Sequence, residues 1–103
     1  MYMSDDQLYF FDPNHGGCMR ILTKIDKENF IVQGAYGSDE GGKGHWVATM
    51  KKTKKFDFEG NSYNLIVDFS KKKIKTHKAI YYANFSKRQI HWQDGNTWIQ
   101  MYV

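Results

Sequence analysis

Asp12-Pro13-Asn14-His15-Gly16-Gly17-Cys18 brings a carboxylate, an imidazole and a thiol into one short segment. A thiol beside an imidazole is the pairing from which a cysteine nucleophile is activated, and a carboxylate can orient the imidazole. Asp12, His15 and Cys18 are therefore the residues on which a small enzyme would be built. The same side-chain types ligate metals. A structural zinc site takes four ligands, usually Cys or His at paired spacings, whereas His45, His77 and His91 are scattered with no second pair. No metal and no cofactor is expected. Turn chemistry accounts for the whole segment without catalysis: Asp12-Pro13 opens a turn, Gly16-Gly17 closes it, and Cys18 enters the next strand as a small hydrophobe.

A second segment, Gly37-Ser38-Asp39-Glu40-Gly41-Gly42-Lys43-Gly44, approaches a phosphate-binding loop. It departs from one twice. Gly44 stands where a Ser or Thr would hold magnesium, and the strand-like His45-Trp46-Val47-Ala48-Thr49 follows where a helix should begin. A glycine-rich loop between two strands is the expectation.

Lysines supply the third feature. Lys51, Lys52, Lys54 and Lys55 form one block and Lys71, Lys72, Lys73 and Lys75 another, in a chain of net charge +4. Cations at this density attract phosphates, and neighbouring aromatic rings can stack bases, so the two blocks point to sequence-tolerant nucleic-acid binding. With only two arginines, planar base recognition is not expected, and the aromatic and glycine run of an RNA-recognition motif is absent. Lysines that solubilise hairpin tips and protect sheet edges explain the same blocks.

These residues need elements to position them, and the dominant signal is alternation. Tyr63, Leu65, Val67 and Phe69 share one face of a strand, while Asn64, Ile66 and Asp68 share the other. Similar runs at 7–11, 18–25, 29–36, 45–52, 76–85, 88–93 and 97–102 are rich in β-branched and aromatic residues. Glu59-Gly60-Asn61-Ser62 reads as a hairpin with Gly60-Asn61 as its two-residue loop, setting Phe58 opposite Tyr63 and Phe56 opposite Leu65. Asp94-Gly95-Asn96 joins the last two runs. A two-residue loop there sets Trp92 opposite Thr97, and a three-residue loop sets it opposite Trp98. Most of the rings of Trp46, Trp92, Trp98, Tyr81, Tyr82 and Tyr102 are expected to fill the core. The fold class that follows is all-β: one domain over residues 1–103, an antiparallel meander of about eight short strands forming a small barrel or sandwich.

At 103 residues, 41% hydrophobic and 17% aromatic, the chain has the material for one core. The single cysteine excludes an intrachain disulfide, and no apolar stretch reaches the length of a membrane span. These features suggest an intracellular, cytoplasmic or nuclear protein without a membrane partner. Unpaired β-edges would favour a homodimer.

Four segments carry a further signal: 12–20 (Asp-Pro-Asn-His-Gly-Gly-Cys-Met-Arg), 34–37 (Gly-Ala-Tyr-Gly), 67–70 (Val-Asp-Phe-Ser) and 90–98 (Ile-His-Trp-Gln-Asp-Gly-Asn-Thr-Trp). In this order they resemble an uncharacterised small all-β family of algae, protists and large DNA viruses. That family's His-x-Gly-Cys-x-Arg and Asp-Gly-Asn-x-Trp patterns imply a shared ligand site at His15, Cys18, Arg20, Asp94, Asn96 and Trp98. Here lysine-rich sequence replaces the family's Gly-Pro stretch after Val-Asp-Phe-Ser. The resemblance implies no activity, though the Lys, Asn, Ile and Tyr content suits an AT-rich viral genome. The functional expectation is a non-catalytic binding module for a protein or small-molecule ligand, with nucleic-acid binding and a small enzyme as alternatives.

Overall fold

The computed structural model describes residues 6–15, 19–35, 45–71 and 79–101. Eight strands run through them: β1 (Gln7–Phe11), β2 (Met19–Lys24), β3 (Asn29–Ala35), β4 (His45–Phe58), β5 (Asn61–Asp68), β6 (Ile80–Ser86), β7 (Gln89–Trp92) and β8 (Thr97–Met101). A 3-10 turn, Pro13–His15, follows β1. Each strand pairs antiparallel with the next, and β1 pairs with β8, Tyr9 opposite Met101 and Phe11 opposite Ile99. The expected meander is thus a closed barrel. Closure gives every strand two neighbours, while the β4–β5 hairpin, β4 beyond Lys52 and β5 before Leu65, extends past its β3 and β6 partners.

The expected alternation decides what lies inside. On β4, Trp46, Ala48 and Met50 are buried while His45, Val47, Thr49 and Lys51 are exposed. On β5, Tyr63, Leu65 and Val67 are buried. Phe10, Leu22, Val32, Ala83, Ile90, Trp92 and Trp98 complete a core contributed by every strand. Eight strands enclose a lumen about wide enough for side chains to fill, so the sizes of these residues determine whether space is left over.

Two hairpins differ from expectation. The β4–β5 turn uses Glu59-Gly60, with φ of 49° and 83°, so Phe58 lies opposite Asn61 and Phe56 opposite Tyr63. Asn61 begins β5 and Glu59 takes the first left-handed position of the loop. β4 also continues past residue 52 to Phe58, through a register shift between Lys52 and Phe56. Beyond that shift, Phe56, Phe58, Tyr63 and Tyr82 form their own aromatic cluster, with centroids 5.1–5.9 Å apart. The β7–β8 connection runs Gln93-Asp94-Gly95-Asn96. The Trp92 N–H donates to the Asn96 carbonyl at 2.8 Å, and Gly95 has a φ of 93°. Trp92 therefore lies opposite neither Thr97 nor Trp98, and both tryptophans point inward with centroids 4.7 Å apart.

The β6–β7 loop is Lys87-Arg88, between the paired Ser86 and Gln89, with φ of 52° and 64°. Two non-glycine residues in the left-handed region carry strain that Asn-Gly would relieve. Lys87→Asn with Arg88→Gly should stabilise the protein by about 1 kcal/mol. The check is a higher urea midpoint at unchanged slope.

Candidate functional site

The two ends of the barrel differ in chemistry. At one end Asp12, just after β1, meets Arg20 near the start of β2, with Arg20 Nη2 donating to Asp12 Oδ2 at 3.2 Å. Both residues are about 1% exposed, which makes this a buried ion pair. Asp12 Oδ1 accepts from Asn96 Nδ2 at 3.0 Å and from the Asn14 backbone N–H at 3.0 Å. The 3-10 turn supplies that N–H, so the turn chemistry read from Asp12-Pro13-Asn14 serves to fix the carboxylate.

Aromatic rings surround the pair. The Arg20 guanidinium carbon lies 5.1 Å from the Trp46 ring centroid and 5.7 Å from that of Trp98, both within cation–π range. Phe69 stands 5.6 Å from each of Trp46, Tyr81 and Trp92. Gly34 lies opposite Trp46 on β3, and a Cβ at that position would meet Trp46 Cζ2, approach Cε2 to 2.7 Å and approach Arg20 Nη1 to 3.0 Å. Glycine is needed there for the indole to lie flat against the strand. Asp94 sits outside this layer, accepting from the Asn96 N–H at 3.0 Å and orienting the side chain that reaches Asp12. Burial first, and then the Asp94 carboxylate, pushes the Tyr81 hydroxyl above its ordinary pKa.

Of the sequence-derived site residues, Arg20, Asn96 and Trp98 come together around Asp12, with Asp94 behind Asn96. Cys18 and the His15 side chain lie outside the described residues. Asp12 has both oxygens engaged, which leaves the carboxylate poorly placed to serve as the orienting member of a catalytic trio. Arg20 and Trp98 are sealed from solvent. The arrangement does the work of a plug, closing one end of the barrel with a charge pair and packed rings. Sequence reasoning missed Trp46 and Gly34 as parts of it. Their positions opposite one another become evident only from the β3–β4 register.

Toward the opposite end the inward side chains are mainly apolar. Leu8, Leu22, Phe30, Met50, Leu65 and Ile90 line a partly open cavity of about 120 Å³. Lys52 and Asn64 also reach its wall. Lys52 occupies the inward position that follows Trp46, Ala48 and Met50, opposite Leu65. The Asn64 amide is committed elsewhere: Oδ1 accepts from the Phe85 N–H at 2.8 Å and Nδ2 donates to the Phe85 carbonyl at 3.3 Å. It continues the β5–β6 ladder where β5 turns away.

The lysines expected to bind nucleic acid are divided. Lys51, Lys52, Lys54 and Lys55 are exposed on β4, with Lys51 facing outward and Lys52 toward the cavity. Lys71 is exposed just after β5, and Lys72, Lys73 and Lys75 lie outside the described residues, as does the glycine loop at 37–44. Among the described residues no group of His, Cys, Asp and Glu is arranged to hold a metal ion, and no helix is long and apolar enough to cross a membrane.

The class defined by fold and site is a small closed eight-stranded β-barrel, plugged at one end and hollow at the other. Comparison with family models, curated proteins and solved structures gave no match for this chain.

Proposed function

We propose that this protein is a non-catalytic binding module that holds a small, mainly apolar molecule in the open end of its barrel. The observation that carries the reading is the cavity of about 120 Å³ lined by Leu, Ile, Phe and Met side chains. An apolar cavity of about 150 Å³ accommodates benzene, so this one fits a body of about five carbons. It is well below the 300–1,000 Å³ or so of pockets for drug-sized ligands. A large cofactor is therefore a poor fit for the lumen.

The plug supports the same reading from the other side. Between the plug and the cavity lining, Phe10 and Val32 are fully buried and follow Leu8 and Phe30 along the inward faces of β1 and β3. Nucleic-acid binding has weaker support, because Lys51 and Lys52 of the β4 block face opposite sides of the strand.

Calorimetric titration with straight-chain alcohols from butanol to octanol tests this. Affinity should rise by about 0.8 kcal/mol per methylene while the chain is still entering the cavity, then level off near the length that fills it. Leu8→Trp, which adds bulk at the cavity wall, should abolish the binding and leave the fold intact. Heats of dilution alone across the whole series would overturn the proposal.

A further inference from the structure

The cavity wall carries one cation, and its position is unusual for a lysine. On β4 the inward positions run Trp46, Ala48, Met50, Lys52, so Lys52 stands where a fourth apolar residue would extend the core to the rim. It lies opposite the buried Leu65 and is exposed. Among the described residues no carboxylate pairs with its ammonium. Asn64, the other polar side chain of the wall, has its amide engaged by the Phe85 backbone through both oxygen and nitrogen. Lys52 is therefore the polar group left to meet a ligand at the mouth.

Resting on the small-molecule reading above, we propose that the ligand is an anionic amphiphile: a short-chain carboxylate whose hydrocarbon fills the cavity and whose carboxylate pairs with Lys52. The division of labour follows from the wall itself. The apolar lining supplies affinity roughly in proportion to the area it removes from water. Lys52 supplies orientation, because a carboxylate drawn into the Leu and Ile lining would lose its hydration without a partner. At the mouth the head group stays partly hydrated while it gains the ammonium. The cavity volume limits the buried chain to about five carbons, so a six-carbon acid places its carboxylate at the rim.

The test compares hexanoate with hexanol at neutral pH by calorimetry, using the wild-type chain, Lys52→Gln and Lys54→Gln. Lys54→Gln makes the same charge change on β4 at a residue outside the cavity wall. Wild type should prefer hexanoate by about three-fold, the scale of a partly exposed charge pair, and the preference should shrink in high salt. Lys52→Gln should remove the preference and leave hexanol binding unchanged, while Lys54→Gln should keep it. If hexanol binds as well as hexanoate, or if Lys54→Gln removes the preference as fully as Lys52→Gln, the carboxylate proposal is overturned and the small-molecule reading survives. If neither compound binds, both fall.

Discussion

Asp12→Ala should destabilise the barrel by about 3–5 kcal/mol, because it removes the buried carboxylate that accepts from Arg20 Nη2. A domain of this size has a total stability of only about 5–15 kcal/mol, so the melting temperature should fall by more than about 10 °C. The substitution also removes the acceptor that holds the Asn96 side chain and the Asn14 N–H. Those groups lie at two chain segments far apart in sequence, which is why the loss should be cooperative. Replacing both partners with apolar residues, Asp12→Leu with Arg20→Met, should recover a large part of it, since no charge then remains buried. Thermal and urea unfolding of the two variants provide the check. A loss below about 1 kcal/mol for Asp12→Ala would mean that the pair is not closed off from water.

Gly34→Ala should cost about 1–3 kcal/mol through overpacking, a large effect for one methyl group. The added Cβ would meet the Trp46 indole, and the neighbouring Arg20 Nη1 limits how far the ring can move aside. Trp46→Phe removes the indole atoms in its way. In the double variant the cost of alanine at position 34 should therefore nearly vanish, and a double-mutant cycle should show coupling on the order of 1 kcal/mol. Additive costs would place the Trp46 ring elsewhere.

Much of the architecture was legible because alternation in an antiparallel meander is a local signal. The runs at 7–11, 29–36 and 97–102 correspond to β1, β3 and β8 to within one residue at either end. What sequence could not supply was register. The β4–β5 hairpin departs from its expected pairing because Glu59 tolerates a left-handed backbone, which propensity disfavours but a tight turn imposes. Closure into a barrel depends on β1 meeting β8, a pairing between the ends of the sheet that no local pattern encodes.

The candidate site was legible in a different way. Asp12, Arg20, Gly34, Phe69, Asn96 and Trp98 come from the four segments singled out in the sequence, and they converge on the plug. These six residues close one end of a small barrel around a buried charge pair. The cavity left no comparable motif. Its lining comes from positions that each read as ordinary core, and only Lys52, a charge at an inward position, distinguishes that wall in the sequence.

The most direct measurement of the central claim, that the open end binds and the plugged end holds the fold, is an NMR titration with hexanol that follows side-chain methyl and indole signals together. Saturable shifts are expected for the methyls of Leu8, Leu22, Leu65 and Ile90, with the indole N–H signals of Trp46 and Trp98 unmoved. Shifts centred on the two indoles, or none at saturating hexanol, would contradict it.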